Sequence, residues 1–344
     1  MRNCVRYIMI CCVLASFCNT LFASDAFFDD RVSVSEAYEY GLMLRAQYRN
    51  KEAREYLKYA VDNGSVSAAY LYAIELRGYN KTVRTDFDVF DYVISAANGG
   101  DGKAIRYLAL RKIDIVDKGQ AFWKGLYLSF LDDLVRIDEA EAYFGYFLFY
   151  MLDDSDLAEE YLNKAVALGH PVAMMVKGDQ IKTGSGFYLL SSSRVRAALT
   201  FYEEAAKTNY LPSMKKYITE LRRNDEREKA FEWLVKAADN GELSSIALVA
   251  KVFSGLNLSY GSVALNPAKA KAYYDMYFEV AGRDRFSVLY DSMLVDYSDL
   301  LDGMSDEQIT QANEIYEALK GRNTKVYAAD FYWFDDGYFY SFLT

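Results

Sequence analysis

Small and bulky apolar side chains recur along this chain at spacings of three and four residues. Such spacings place side chains on one face of an α-helix. One pattern, a small residue followed four positions later by a bulky one and then a second small one, begins at residues 36, 68, 104, 140, 173, 213 and 245, the first copy being the weakest. The starts lie 32 to 40 residues apart, a period typical of repeated helix pairs. The pattern therefore predicts the first helix of a repeated two-helix unit.

A second pattern follows the first and predicts the second helix of each unit. It consists of alanine, an aromatic residue, two small residues and a closing glycine. Its best copy is Ala230, Trp233, Ala237, Ala238 and Gly241. The glycine predicts the end of the helix, where a positive φ is favoured, and Asn209 replaces it in one copy. Residues 117–136 hold a degenerate copy, whose apolar face is formed by Phe122, Trp123 and Leu126.

A helix pair of this kind cannot bury its apolar face alone, so consecutive pairs stack into a solenoid. We predict an all-α, right-handed superhelical solenoid with about seven units over residues 34–282. Further helices are predicted near 284–302 and 305–320. Residues 283–344 then form a C-terminal cap. Its last part, 326–344, is so rich in aromatic residues that we expect it to dock on the last helices rather than stay in water.

Two local signals mark where later helices start. Asn266 followed by Pro267 has the form of an N-cap and a first helical residue. Ser305 and Gln308 have the spacing of a capping box, in which each side chain bonds the backbone N–H of the other residue.

The first 23 residues have the pattern of a signal peptide. Arg2 and Arg6 supply a charged start, and the apolar run from Tyr7 to Phe17 is shorter than the roughly 20 residues that span a bilayer. Cleavage after Ala23 or after Ala26 and retention as an uncleaved membrane anchor all remain open. All four cysteines lie in this segment, at Cys4, Cys11, Cys12 and Cys18. We expect an exported protein, periplasmic or secreted, whose mature chain has no disulfide.

The repeat resembles the Sel1-like repeat family, which is related to the tetratricopeptide repeat. The resemblance is strongest in Lys229-Ala230-x-x-Trp233-x-x-Lys236-Ala237-Ala238-x-x-Gly241, and Asn163-Lys164-Ala165-Val166-x-x-Gly169 is nearly as close. The glycine loop of the family survives only as Gly184-x-Gly186. The resemblance implies a curved superhelix that assembles proteins. Exported bacterial members of the family act as envelope adaptors, and some are immunity proteins for secreted toxins.

Charge and side-chain chemistry narrow the class of function. The net charge is -10, which disfavours binding to nucleic acid or to anionic membrane. The one histidine, His170, lies between Gly169 and Pro171, in a linker position, and no nucleophile with a matching base stands out. We therefore predict a protein that is not an enzyme and has no cofactor or metal. Contact with a membrane is expected only through the N-terminal segment, if it is uncleaved.

A concave groove lined by the first helix of each pair is our candidate binding site. Alignment to the tetratricopeptide-like frame selects its lining. The residues are Tyr38, Arg45, Tyr70, Arg77, Arg106, Tyr146, Phe149, Lys182, Lys215 and Arg222. Tyrosine and arginine are frequent anchors of protein interfaces. The alternative reading, equally weighted, is that the basic residues complement helix C-termini and the aromatic residues are core.

Three functions follow from these features. The first is an envelope adaptor that holds other proteins together. The second is a periplasmic immunity protein that binds a cognate secreted toxin, for which the acidic charge suits a basic partner. The third is an enzyme acting on cell-wall material, which no group of residues supports.

Overall fold

The structure is a computed structural model that describes residues 32–79, 87–110 and 118–320. The predicted signal peptide and the aromatic segment 326–344 lie outside these ranges. Within them every regular element is an α-helix. The helices are α1 (Val34–Ala46), α2 (Asn50–Asp62), α3 (Val66–Tyr79), α4 (Phe87–Asn98), α5 (Gly102–Leu110), α6 (Gly119–Leu134), α7 (Glu139–Tyr150), α8 (Ser155–Ala167), α9 (Pro171–Thr183), α10 (Ser191–Lys207), α11 (Leu211–Arg223), α12 (Arg227–Asp239), α13 (Leu243–Phe253), α14 (Pro267–Val280), α15 (Ser287–Asp302) and α16 (Asp306–Lys320).

Helices α1 to α14 are arranged as seven antiparallel pairs. In each pair the odd-numbered helix packs along the even-numbered helix that follows it. The second helix of a pair then packs on the first helix of the next pair. This alternation is the architecture of a helical solenoid, because each unit buries its apolar faces only against its neighbours. The predicted all-α solenoid of stacked antiparallel helix pairs is confirmed.

The turns between pairs have the backbone conformation that the closing glycine predicts. The φ angles of Gly64, Gly100, Gly169 and Gly241 are 90°, 93°, 79° and 81°. Asn209, which replaces glycine in its copy, has a φ of 62°. A left-handed residue lets the chain reverse direction directly after the second helix, and glycine and asparagine tolerate it best.

The predicted helix starts are also present. The side chain of Asn266 accepts a hydrogen bond from the Lys269 N–H at 2.9 Å, and Pro267 is the first residue of α14. The Ser305 N–H donates to Gln308 Oε1 at 2.9 Å, and the Gln308 N–H donates to Ser305 Oγ at 3.2 Å. Both signals satisfy backbone donors that the first turn of a helix leaves without a partner.

Small residues let the two helices of a pair approach closely. A Cβ atom at Gly41 would lie 2.6 Å from Leu57 Cδ2, and one at Gly178 would lie 2.6 Å from Tyr202 Cε1. Real Cβ atoms do not approach other atoms so closely, so each glycine is required by the bulky side chain opposite it.

The degenerate copy at 117–136 forms helix α6, but its buried face differs from our prediction. Trp123, Tyr127 and Leu131 are buried, at a spacing of four residues. Phe122 is an exposed residue, and Leu126 is half-buried. The predicted apolar face is therefore correct at Trp123 and at Leu126, which packs against the core, and wrong at Phe122.

Helices α15 and α16 close the C-terminal end of the solenoid in different ways. Helix α15 crosses α13 and α14, where Lys251 pairs with Asp296 at 2.7 Å and the Tyr297 hydroxyl donates to Asp275 at 2.6 Å. Helix α16 lies along α14. Its residue Ala312 also shares a small core cluster with Leu300 and Leu301, near the end of α15.

The solenoid closes on itself. The turn between α1 and α2 lies against the segment between α14 and α15, so that the first and seventh pairs touch. The Gly282 N–H donates to the Gln47 carbonyl at 2.6 Å, and the Asp284 N–H donates to the Tyr48 carbonyl at 3.2 Å. The Tyr48 ring is buried and meets the Phe286 ring edge-on at 4.7 Å between centroids. Tyr48 thereby joins the core of the C-terminal half.

Asp284 also caps the N-terminus of helix α2 across this contact. The N-cap residue of α2, Arg49, makes no side-chain cap hydrogen bond. Instead Asp284 Oδ2 accepts the Lys51 N–H at 2.9 Å, although the two residues are 233 positions apart. Gly282 permits this approach, since a Cβ atom there would lie 2.7 Å from the Tyr48 carbonyl oxygen. We call residues 47–51 and 282–286 together the clasp.

Candidate partner-binding surfaces

Most basic residues of the predicted groove bond to a residue in the next helix pair. Arg45, on α1, is buried and its Nε lies 2.5 Å from Glu75 Oε2 on α3. Asn50 donates to the other oxygen of the same carboxylate at 2.6 Å. A buried charge of this kind needs a partner and further hydrogen bonds, and Arg45 has both. In this conformation the Arg45 guanidinium is not exposed to a partner.

The next two predicted residues, Tyr70 and Arg77, meet the same tyrosine of α5. Arg77 Nη1 donates to the Tyr107 hydroxyl at 2.9 Å, and the Tyr70 and Tyr107 rings lie edge to face at 6.3 Å. Tyr70 is buried and Arg77 is half-buried. The groove residues of the second pair thus pack against the third pair.

Arg106, Glu141 and His170 link three consecutive pairs. Arg106 Nη1 lies 3.8 Å from Glu141 Oε1, and His170 Nε2 lies 2.8 Å from Glu141 Oε2. The Nδ1 atom of His170 accepts the Ala173 N–H at 3.0 Å and caps α9. Burial would raise the pKa of Glu141, but the hydrogen bond from His170 and the charge of Arg106 outweigh it and hold that pKa below its usual range.

The aromatic middle of the predicted groove is a packed cluster. Tyr146 is buried, its ring stacks on Tyr161 at 4.8 Å between centroids, and its hydroxyl donates to Asp132. Phe149 is half-buried, and its ring centroid lies 5.0 Å from that of Tyr150. Phe149 therefore keeps part of its ring accessible, whereas Tyr146 does not.

The basic groove residues of the C-terminal pairs also bond to a residue in the next helix pair. Lys182 Nζ lies 2.6 Å from Glu220, and Lys215 Nζ lies 3.1 Å from Glu242. Both acids are buried. Burial would raise the pKa of Glu242, but the Lys215 charge and hydrogen bonds from Ser245 and Ser244 hold it below its usual range. Each lysine contacts the next pair through its ammonium group.

Two of the predicted residues keep more of their surface. Arg222 is exposed and lies over the ring of buried Tyr260, 4.9 Å from its centroid. Tyr38 is half-buried beside the core of the first two pairs. Of the ten predicted residues, Arg45, Tyr70 and Tyr146 are buried, and the others have accessible atoms.

A surface that the groove prediction missed lies on one edge of the solenoid. The turns that join the first to the second helix of a pair share this edge, because the helices of a pair run antiparallel. Residues 183–193 and 252–268 include two of these turns, and neither stretch contains a charged residue. The exposed apolar side chains are Phe187, Leu189, Leu190, Leu256, Leu258 and Leu265. We call these six residues the apolar edge.

The signal for the apolar edge was present in the sequence. Stretches without charge are conspicuous in a chain that is 26% charged. Periodicity alone assigned them to loops and gave no reason to expect exposed leucines there. Tyr260 shows why the distinction is hard from sequence, since it lies in the same loop and is 1% exposed.

The last two helices present an acidic surface. Residues 287–319 contain eight acidic residues and no basic residue. Six of the acidic residues are exposed. They are Asp299, Asp302, Asp306, Glu307, Glu314 and Glu317. A surface of one sign attracts partners of the opposite sign and speeds their association.

Neither metal ligation nor membrane spanning is indicated within the part of the chain that the structure describes. In those ranges, histidine, cysteine, aspartate and glutamate side chains form no cluster of three suited to a metal ion. No helix in the same ranges has the length and hydropathy needed to cross a bilayer.

Comparison with known proteins gives structural similarity alone. No protein-family model matches the sequence, and no curated protein matches it. Among solved structures, the chain is similar to a protective antigen of uropathogenic Escherichia coli that displays an SLR fold. The identity is 13% and the TM-score 0.40, over 86% of this chain and 62% of the antigen. This chain therefore spans under two thirds of the antigen's length.

A second similar structure is a Sel1 repeat protein from Oxalobacter formigenes. The identity is 17% and the TM-score 0.37, over 83% of this chain and 88% of that protein. The assignment of this chain to helix-pair solenoids rests on its own helices and turns.

Proposed function

We propose that this protein is a non-enzymatic scaffold that binds other proteins in the bacterial envelope. The apolar edge is the observation that supports this proposal most directly. Exposed apolar side chains commonly mark an interaction site, and here they form two groups, in the turns of the fifth and seventh pairs, with the charged turn of the sixth pair between them. The predicted signal peptide at residues 1–23 supports the envelope location, and the helix-pair fold provides a rigid frame for the edge.

The groove stays part of the proposal as a secondary contact. Among its accessible members, Arg77, Lys182 and Arg222 already contact a residue of the next helix pair. A partner that used them would have to replace those bonds or add to them. The apolar edge has no such cost, because its side chains are in water.

The test is affinity capture from the native envelope followed by mass spectrometry. We compare the tagged protein with the variant Phe187→Ser/Leu189→Ser. The matched control is Ile137→Ser, which changes an equally exposed apolar residue in a turn on the opposite edge; Phe187 and Ile137 are 89% and 84% exposed. We expect one or more envelope proteins to be captured by the parent and by Ile137→Ser, with at least a several-fold loss in Phe187→Ser/Leu189→Ser.

Equal capture by all three proteins would remove the apolar edge from the proposal. Capture of nothing by the parent would contradict the scaffold function itself and would direct attention to hydrolysis of cell-wall material, the enzymatic alternative.

The immunity function is the second candidate, and the acidic surface of α15 and α16 favours it. A toxin with a basic surface would be held there by charge, so its binding should weaken as salt screens the attraction. In the same capture, the variant Glu314→Gln/Glu317→Gln should then lose a single basic secreted protein. Retention of that protein, or binding that is insensitive to salt, would contradict the immunity function and leave only the scaffold proposal.

A further inference from the structure

Helix α15 differs from the preceding odd-numbered helices in how little of it is buried. Helix α13, the first helix of the seventh pair, buries eight of its residues, including Leu243, Ile246 and Val249. Helix α15 buries only Met293. Val288 and Val295 are 82% and 60% exposed, and Leu294 is exposed beside them. Spaced about two helical turns apart, Val288 and Val295 lie on one face.

This face is the one that a further helix pair would cover. In the second to seventh pairs, the first helix packs on the preceding pair and on its own partner, and solenoid ends need a capping element for solubility. Helix α16 is not this capping element, because it lies along α14. Its own outward residues, such as Thr310, Gln311 and Glu314, are polar. The face of α15 that carries Val288 and Val295, together with Ser292 and Asp299, is thus the exposed end of the stack.

The chain that follows α16 starts at the end of α14 that also lies against the first turns of α15. Lys320, the last residue of α16, pairs with Glu279 at 2.7 Å, near the end of α14. Helix α15 begins only a short segment after Glu279, so Val288 lies at the near end of α15. Twenty-four residues follow Lys320. Helix α15 is about 24 Å long at 1.5 Å per residue, and an extended segment of this size reaches about 80 Å.

The composition of that segment suits an apolar face. Residues 321–344 contain nine aromatic residues between Tyr327 and Phe342, including Trp333. Aromatic side chains bury large areas for few rotatable bonds. We propose that residues 321–344 pack on the outer face of α15, over Val288, Leu294 and Val295, and so cap the solenoid.

Tryptophan fluorescence tests this proposal in the full chain. The chain has three tryptophans, and Trp123 and Trp233 are buried in the repeats. The difference in emission between a protein and its Trp333→Phe counterpart therefore reports on Trp333. We compare the parent with Val288→Lys/Val295→Lys, which changes side chains that lie outside the buried core of the repeats. The control is Thr310→Lys/Gln311→Lys, which adds the same charge to the outer face of α16.

We expect Trp333 to emit at short wavelength in the parent and in the control. In Val288→Lys/Val295→Lys, its emission should shift to the red, its quenching by acrylamide should rise several-fold, and chymotrypsin should cleave the segment faster. Circular dichroism melting checks that the repeats are intact in each protein.

Two results would overturn the proposal. One is a red, fully quenchable Trp333 in the parent. The other is a Trp333 signal that is the same in Val288→Lys/Val295→Lys and the control. Light scattering then tests whether a second copy of the chain covers this face instead. In that case the parent is a dimer, Val288→Lys/Val295→Lys is a monomer, and the Trp333 emission is the same in both.

Discussion

At the scale of single residues, His170 illustrates how a side chain that suggests catalysis can have a structural role. Its Nδ1 atom accepts a backbone N–H, so Nε2 carries the proton and donates to Glu141. Its ring also stacks on Phe144, 4.5 Å between centroids. Both nitrogens are bonded and the ring is buried, so the imidazole joins the turn, helix α9 and the preceding pair.

We predict that His170→Ala lowers the free energy of unfolding by about 1 kcal/mol or more, because the first turn of α9 loses its cap and Glu141 loses a hydrogen bond. Urea denaturation measures this change. The control His170→Asn keeps a good capping residue and should lose less. An alanine variant as stable as the parent would show that water or a neighbour replaces the cap.

Single residues also show which structural features could be predicted from the sequence and which could not. Gly64, Gly241 and Asn209 were predictable because a positive φ restricts the choice of residue in any context. The pairing of Arg45 with Glu75 was not, because it depends on the relative rotation of α1 and α3. Periodicity gives the face of a helix on which a side chain lies, but not its partner.

At the scale of elements, the basic residues of the predicted groove connect one helix pair to the next. Lys182 on α9 reaches Glu220 on α11, and Lys215 on α11 reaches the residue that caps α13, Glu242. Removing a buried acid from its partner is costly, whereas slightly different rotations of apolar helices cost little. These pairs therefore specify how far each unit is rotated on its neighbour.

This arrangement predicts a loss of stability in acid. The pKa values of Glu141 and Glu242 are lower in the folded chain than the roughly 4.3 of an unfolded glutamate. A lowered pKa stabilises the fold fully above the unfolded value, and this stabilisation is lost as pH falls through the folded value. Stability should thus fall steeply below about pH 4.5.

Thermal melts between pH 3 and pH 7 measure this dependence. The variant Glu242→Gln should be less stable than the parent at pH 7, with a difference that narrows at pH 3. Glu232→Gln, at an exposed position of α12, serves as the control with the same change of charge. A constant difference between Glu242→Gln and the parent across the range would contradict the assignment.

At the scale of the whole molecule, the clasp is the feature that sequence analysis did not predict. A repeat pattern in the sequence shows which helices pack on their neighbours along the chain. It does not show how many pairs complete one superhelical turn, because that number depends on small rotations summed over all pairs. Gly282 and Asp284 lie outside both repeat patterns. The seven helix pairs could be predicted one by one, whereas the contact of the first with the seventh could not.

We predict that Gly282→Ala weakens the clasp. The new methyl group would lie 2.7 Å from the Tyr48 carbonyl oxygen and close to Arg49, so the backbone must shift. Overpacking of this kind costs about 1–3 kcal/mol. Small-angle X-ray scattering should show a larger radius of gyration, and denaturation a lower stability.

The matched control for the clasp is Gly303→Ala, at the end of α15. There the nearest atom to a Cβ would be 3.6 Å away, which is an ordinary contact. Its dimensions should equal those of the parent. If Gly282→Ala is as compact and as stable as the parent, the clasp contributes little to holding the coil closed.

The clasp also changes how the molecule responds to force. A solenoid with free ends behaves as a spring, lengthening gradually as each unit turns slightly on the next. Here Tyr48 is buried among residues of the far end, and Asp284 caps a helix more than two hundred residues away in sequence. We therefore expect the coil to resist extension until the clasp breaks and to extend more easily afterwards, with no disulfide in residues 32–320 to hold it.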